Sequence, residues 1–162
     1  MVTYSDIGIR PVINAWGTVT VMGGSIMPKE VMEAMHEASR NYIPLRELHK
    51  AAGEYIAERL GVDAACLSSG AAAGMALAAA ACMAGNDPAY RAQLPDTQGL
   101  KNKIVTFRSM RSNYDQGFRI AGATYVEIGM PKKVEAWDLK HALTDSTVAA
   151  VGYIVEHEHP GM

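Results

Sequence analysis

The chain has 162 residues, 49% of them apolar and 20% charged, and a net charge of −2. That is the composition of a globular domain with a sizeable core; it excludes a disordered or fibrous chain, and without a basic stripe a nucleic-acid partner is not expected. The cysteines, Cys66 and Cys82, form neither a C-x-x-C pair nor a dense framework. They read as reduced core thiols of a cytoplasmic protein, and the N-terminus lacks the basic and apolar regions of a signal peptide.

Residues 1–27 read as an extended N-terminal arm, within which "VINAWGTVTVMGG" is β-rich and runs into glycines. "MPKEVMEAMHEASRN" puts Pro28 near a first turn and Val31, Met32, Met35 and Ala38 at helical spacing, which predicts an amphipathic helix. A second helix is predicted over 45–60, with Gly61 as its stop. "AACL" at 64–67 reads as a short apolar strand, and the alanine-rich run after Gly70 as a helix to about residue 84. This run is shorter than the roughly 20 apolar residues a membrane span needs. Its alanines predict a helix packed closely against a sheet, with no membrane partner.

"NDPAYRAQLPDTQGLKN" reads as a long surface connection. "KIVTF" at 103–107 is a predicted strand, "RSMRSNYD" a polar turn and "QGFRIAG" a helix. "TYVEIG" at 124–129 predicts a strand, "VEAWDLKHAL" a helix and "TVAAVGYIV" a strand reaching Val155. Apolar strands alternating with helices predict an α/β fold, a mostly parallel sheet with helices on both faces.

Ligands of such sheets bind beyond the carboxyl ends of the strands. Ser68-Ser69-Gly70-Ala71-Ala72 lies between a predicted strand and a helix start, with Ser69 at the N-cap position. Unpaired N–H groups and a partial positive charge make such a turn a phosphate site, and Gly70 clears the approach. The same residues also make an ordinary capped helix. In "FRSMRSNYDQ", Arg108 and Arg111 offer cations to an anionic ligand, and Asn113, Tyr114 and Asp115 offer polar contacts; solvated arginines behind a Ser112 or Asn113 cap are the plainer reading. His157 and His159 share a face of an extended strand, but lacking a third ligand they read as ordinary polar residues, so no metal site is expected. His36, His49 and His141 stand singly on predicted helices, facing solvent.

Three segments, "RPVINAWGTVTVMGGSIMP", "AAGEYIAERLGVDAACLSSGAAAGMALAAAACMAG" and "LPDTQGLKNKIVTFRSMRSNYDQGFRIAGATYVEIG", in this order, resemble the N-terminal part of the selenocysteine-synthase-like family of pyridoxal-phosphate enzymes. This is the family of the L-seryl-tRNA(Sec) selenium transferase and D-glucosaminate-6-phosphate ammonia-lyase types. The resemblance implies a fold-type-I large domain, partial over 28–162. It places the pyridoxal 5'-phosphate tail at Ser69, Gly70 and Ala71, and the turn holding Met110 and Arg111 over the cofactor ring. Where related sequences often have His-Arg, this chain has Met110-Arg111, so a thioether stands in place of a stacking ring. Trp16, Gly17, Thr18, Asn113 and Tyr114 are the candidate substrate residues.

Within that family an ammonia-lyase-like enzyme acting on a small amino acid or amino-sugar acid is expected. Only nine residues precede Arg10, where the tRNA-using members carry a further domain. The Schiff-base lysine and the aspartate that pairs with the ring nitrogen are expected after position 162, which makes the chain an N-terminal fragment inactive alone, from a homo-oligomeric parent. A selenium-transferase-like enzyme and a non-catalytic scaffold or binding subunit that has lost the cofactor are the alternatives.

Overall fold

The computed structural model describes residues 2–131 and 133–151. The chain divides into two compact units, Met1–Ala51 and Ala52–Met162. In the first, helix α1 spans Lys29–Ala38 behind Pro28 at the cap, and short 3-10 turns occupy Ser5–Ile7 and Thr20–Met22. The β-rich stretch 12–24 therefore forms no strand; a strand needs a ladder partner, and none is present for it among the described residues. No residue of α1 is buried within this unit, and its apolar row Val31, Met32 and Met35 stays open there.

Helix α2, Leu45–Leu60, crosses the boundary between the units and ends as the sequence indicates. The Gly61 amide donates to the Glu58 carbonyl (3.3 Å) and the Val62 amide to the Ala57 carbonyl (3.1 Å), the paired bonds of a Schellman stop. Gly53, inside α2, packs on the segment that follows: a Cβ there would lie 2.5 Å from the Ala65 carbonyl oxygen. Residues 64–67, expected as a strand, are extended but unladdered, because no neighbouring strand among the described residues offers them a register. The bare backbone of Gly53 leaves the room in which the Ala65 carbonyl approaches α2.

Helix α3, Ala71–Ala84, follows. The predicted surface connection contains a helix of its own, α4, Pro88–Gln93, whose start is fixed by Asp87 accepting from the Ala89 amide (2.8 Å) and by Pro88 in the first turn. Strands β1 (Lys103–Phe107), β2 (Thr124–Ile128) and β3 (Thr147–Val151) form a parallel sheet in the order β2-β1-β3. Helix α5 (Gln116–Arg119) connects β1 to β2, and α6 (Ala136–Ala142) connects β2 to β3. The two crossovers run in opposite directions, so right-handedness puts α5 and α6 on opposite faces of the sheet. The sequence-based expectation of an α/β fold with a parallel sheet flanked by helices holds.

β1 is the centre. Ile104 and Val105 are the least exposed large side chains, and Ile104 packs with Ala79 and Met83 of α3, Phe118 of α5, Ala121 and Ala123. Burial on α3 follows Ala79 and Met83, one helical turn apart, and Cys82 falls outside that stripe; Cys66 lies in the unladdered segment. Both thiols are therefore free and exposed, not core residues. His36, His49 and His141 are exposed as anticipated. His157, His159 and the end of the last predicted strand lie outside the described residues.

Gly53→Ala forces a methyl group against the Ala65 carbonyl and should lower stability by about 1–3 kcal/mol despite the better helix propensity of alanine. Urea denaturation checks this, and an unchanged midpoint would refute the close approach.

Candidate functional site

The first turn of α3 carries no side-chain cap. Its N-cap is Gly70 rather than the anticipated Ser69, with φ 145° and ψ 174°, a backbone region open to glycine alone. Gly70 takes that position because the chain must swing from the extended segment into the helix within one residue. Ser68 then stabilises the turn, its hydroxyl donating to the Gly70 carbonyl at 3.0 Å, while the Ser69 hydroxyl has no hydrogen bond among the described residues. The first helical bond runs from the Gly74 amide to the Gly70 carbonyl (3.0 Å), so the amides of Ala71, Ala72 and Ala73 end the helix unpaired. Ala71 and Ala72 are exposed and small, which leaves those amides open to an anion.

The second half of the site follows β1. A 3-10 turn at Arg108–Met110 and another at Asn113–Asp115 lead into α5, with the Ser112 hydroxyl accepting from the Tyr114 amide. Arg111 is tied down on three sides. Its Nε donates to Asp115, its Nη1 lies 2.5 Å from Glu127 Oε1 on β2, and its guanidinium sits 4.3 Å from the Tyr125 ring centroid. The hydrogen bond to Asp115, with the charges of Asp115 and Glu127 behind it, holds the guanidinium above its ordinary pKa against the opposing effect of burial. The Tyr125 hydroxyl donates to the Asp115 carbonyl at 3.2 Å, closing the network. Arg108 reaches the same Glu127 more loosely, Nε to Oε2 3.5 Å.

These two halves lie at one end of the sheet. A Cβ on Gly117, at the start of α5, would come 3.0 Å from Met75 Cβ and 3.3 Å from the Ala72 carbonyl oxygen. The first turns of α3 and α5 are thus side by side, just beyond the carboxyl end of β1. The chain steps from β1 out to β2 and returns past β1 to β3, and a reversal of this kind is where α/β sheets place their ligands.

Ser69, Gly70, Ala71, Met110, Arg111, Asn113 and Tyr114 all belong to this unit. Met110 is half-buried, and Tyr114, at 71% exposed, is the most open of the ring side chains there. Trp16, Gly17 and Thr18 belong to the other unit, where Asn14 shapes their turn by donating to the Gly17 carbonyl (2.7 Å) and accepting from the Trp16 amide (2.9 Å). Sequence reasoning missed Glu127, whose signal was a lone acid in the otherwise apolar strand "TYVEI", and Gly53 and Gly117, whose signal was a glycine inside a helical pattern. Among the described residues no cluster of metal-ligating side chains occurs, and no helix is long and apolar enough to cross a membrane.

No family model matches the chain. It is 34% identical to a 5'-C-glycyluridine monooxygenase-decarboxylase of Streptomyces sp, over 96% of this chain and 40% of that protein. It is 32% identical to a D-glucosaminate-6-phosphate ammonia lyase of Salmonella typhimurium (strain 14028s / SGSC 2262), over 95% of this chain and 42% of that protein. A solved structure of D-glucosaminate-6-phosphate ammonia-lyase superposes with a TM-score of 0.87 at 31% identity, covering 91% of this chain and 41% of that one. The chain therefore spans about 40% of the length of the curated relatives it matches.

Asp115→Asn weakens the Arg111 clamp at a nearly buried carboxylate and should cost about 1–3 kcal/mol of stability. Arg108→Gln, at an exposed pair, should change it by less than about 0.5 kcal/mol. Denaturation midpoints of the two variants test the difference, and equal losses would contradict it.

Proposed function

We propose that the open first turn of α3 holds the phosphate of pyridoxal 5'-phosphate, and that the chain is the phosphate-binding portion of an ammonia-lyase-like enzyme acting on a small amino acid or amino-sugar acid. The observation that carries this is the triplet of unpaired amides at Ala71, Ala72 and Ala73, behind a glycine cap in a helical turn that lies beside the start of α5. The fit to a phosphate is chemical: three donors, the positive end of a helix dipole and no side chain in the way. The likeness to D-glucosaminate-6-phosphate ammonia lyase supports the reaction class. The other relative is named for a different reaction, yet both names contain an amino acid, a glycyl group in one and an amino-sugar acid in the other.

In this reading Gly70 and Ala71–Ala73 anchor the phosphate, with the Ser69 hydroxyl beside them as a further donor. The half-buried Met110 offers an apolar thioether to the flat ring, and Asn113 and Tyr114 offer polar contacts to a small substrate. Arg111, held by Asp115 and Glu127, acts by keeping this turn in place rather than by binding the phosphate itself. When bound, the cofactor supplies an electron sink for carbanion chemistry. The reading assigns phosphate anchoring and ring packing to this chain, and leaves the covalent chemistry to the part of the relatives that it does not match.

Pyridoxal phosphate should raise the melting temperature of the 162-residue protein, because a ligand that binds the native state stabilises it. Pyridoxal, which lacks the phosphate, should not. Ala72→Asp, which puts a carboxylate on the helix mouth, should abolish the effect. Equal responses to the two aldehydes would overturn the assignment.

A further inference from the structure

We infer that Ser68 is a positioning residue of the α3 mouth: it sets the direction of the Ala71 amide, the first donor to an incoming phosphate, without touching the phosphate itself. Gly74 is glycine so that the Ser68 hydroxyl has room to do this. The role rests on the reading of the α3 mouth as a phosphate site, and it names the residue that preorganises that site. The cap cannot do so alone. Gly70 has no side chain, and its φ of 145° lies where other residues rarely go, so its backbone has the most freedom to lose when the turn is fixed. No side chain caps the helix in its stead.

The Gly70 carbonyl is held from two sides. The Gly74 amide donates to it at 3.0 Å, from within the helix, and the Ser68 hydroxyl donates to it at 3.0 Å, from the segment before the helix. The peptide that joins Gly70 to Ala71 is planar and trans, so its C=O and N–H point in opposite directions. A carbonyl fixed by Ser68 and Gly74 therefore fixes the Ala71 N–H toward the open end of α3, where no group among the described residues takes it. A donor on the carbonyl also polarises the peptide unit and makes its N–H the stronger donor. An oxyanion then meets an amide already aimed at it, which lowers the ordering cost of binding. Gly74 completes the arrangement, because a Cβ there would lie 3.3 Å from Ser68 Oγ and meet nothing else within 4 Å. An alanine in its place would press the hydroxyl away from the Gly70 carbonyl while improving the helix.

Ser68→Ala should weaken binding of pyridoxal phosphate to the 162-residue protein by about three- to tenfold, the effect of losing one hydrogen bond, and Ser68→Thr, which keeps the hydroxyl, should recover most of it. Gly74→Ala separates positioning from stability. It should raise the melting temperature of the ligand-free chain, because alanine is the better helix former, and yet weaken pyridoxal phosphate binding several-fold. In ligand-free Ser68→Ala, the amide proton and nitrogen resonances of Ala71 should move more than those of Ala73, whose peptide carbonyl Ser68 does not reach. A Ser68→Ala or Gly74→Ala chain that binds as the parent does, or Ala71 resonances that stay in place, overturns the role given to Ser68 and leaves the phosphate reading standing. A parent chain that does not bind pyridoxal phosphate, or binds pyridoxal equally well, removes the phosphate site and the role of Ser68 with it.

Discussion

Gly117 brings α5 against α3 at a distance that a side chain at that position would crowd. An added Cβ on Gly117 would touch Met75 and the Ala72 carbonyl at 3.0 and 3.3 Å. Because α5 starts only nine residues after β1 ends, this contact fixes the open end of α3 beside the turn that leaves the central strand. The bare backbone of Gly117 therefore has a positional purpose. Ala79 and Met83 of α3 pack with Ile104 and Phe118 in the core, with Met75 against them, so the contact that assembles the candidate site is continuous with the one that stabilises the sheet.

On that frame the two halves of the site are built by opposite means. The α3 mouth is open by subtraction: glycine at the cap, alanines in the first turn, a serine whose hydroxyl is turned back onto the Gly70 carbonyl. The turn after β1 is held by addition, with Arg111 spanning Asp115, Glu127 and the Tyr125 face. Preorganised donors and a rigid turn are what a bound anion needs, since neither then has to be ordered at the moment of binding.

Much of the fold was legible in local chemistry. Gly61 marks a stop, and the short β-branched runs at 103–107 and 124–128 are strands with nearly the predicted bounds, whereas the helix that starts at Asp87-Pro88 was read as part of a surface connection. The α3 turn was recognisable as a phosphate candidate from Ser69, Gly70 and the alanines that follow, although the cap was assigned to Ser69. The role of Arg111 was not, because its partners are four and sixteen positions away and one of them, Glu127, lies on the neighbouring strand.

The sequence by itself determined the stop of α2, the approximate spans of α1, α2 and α3, and the three strands that pair in the sheet. These depend on neighbours a few residues apart, whose caps and periodicities act locally. Tertiary structure decided that 64–67 stays unladdered against Gly53, that Gly70 rather than Ser69 is the cap, and that Arg111 is clamped while Arg108 remains open. Each of these turns on geometry or on a partner brought in from elsewhere in the chain, and packing alone sets which groups meet.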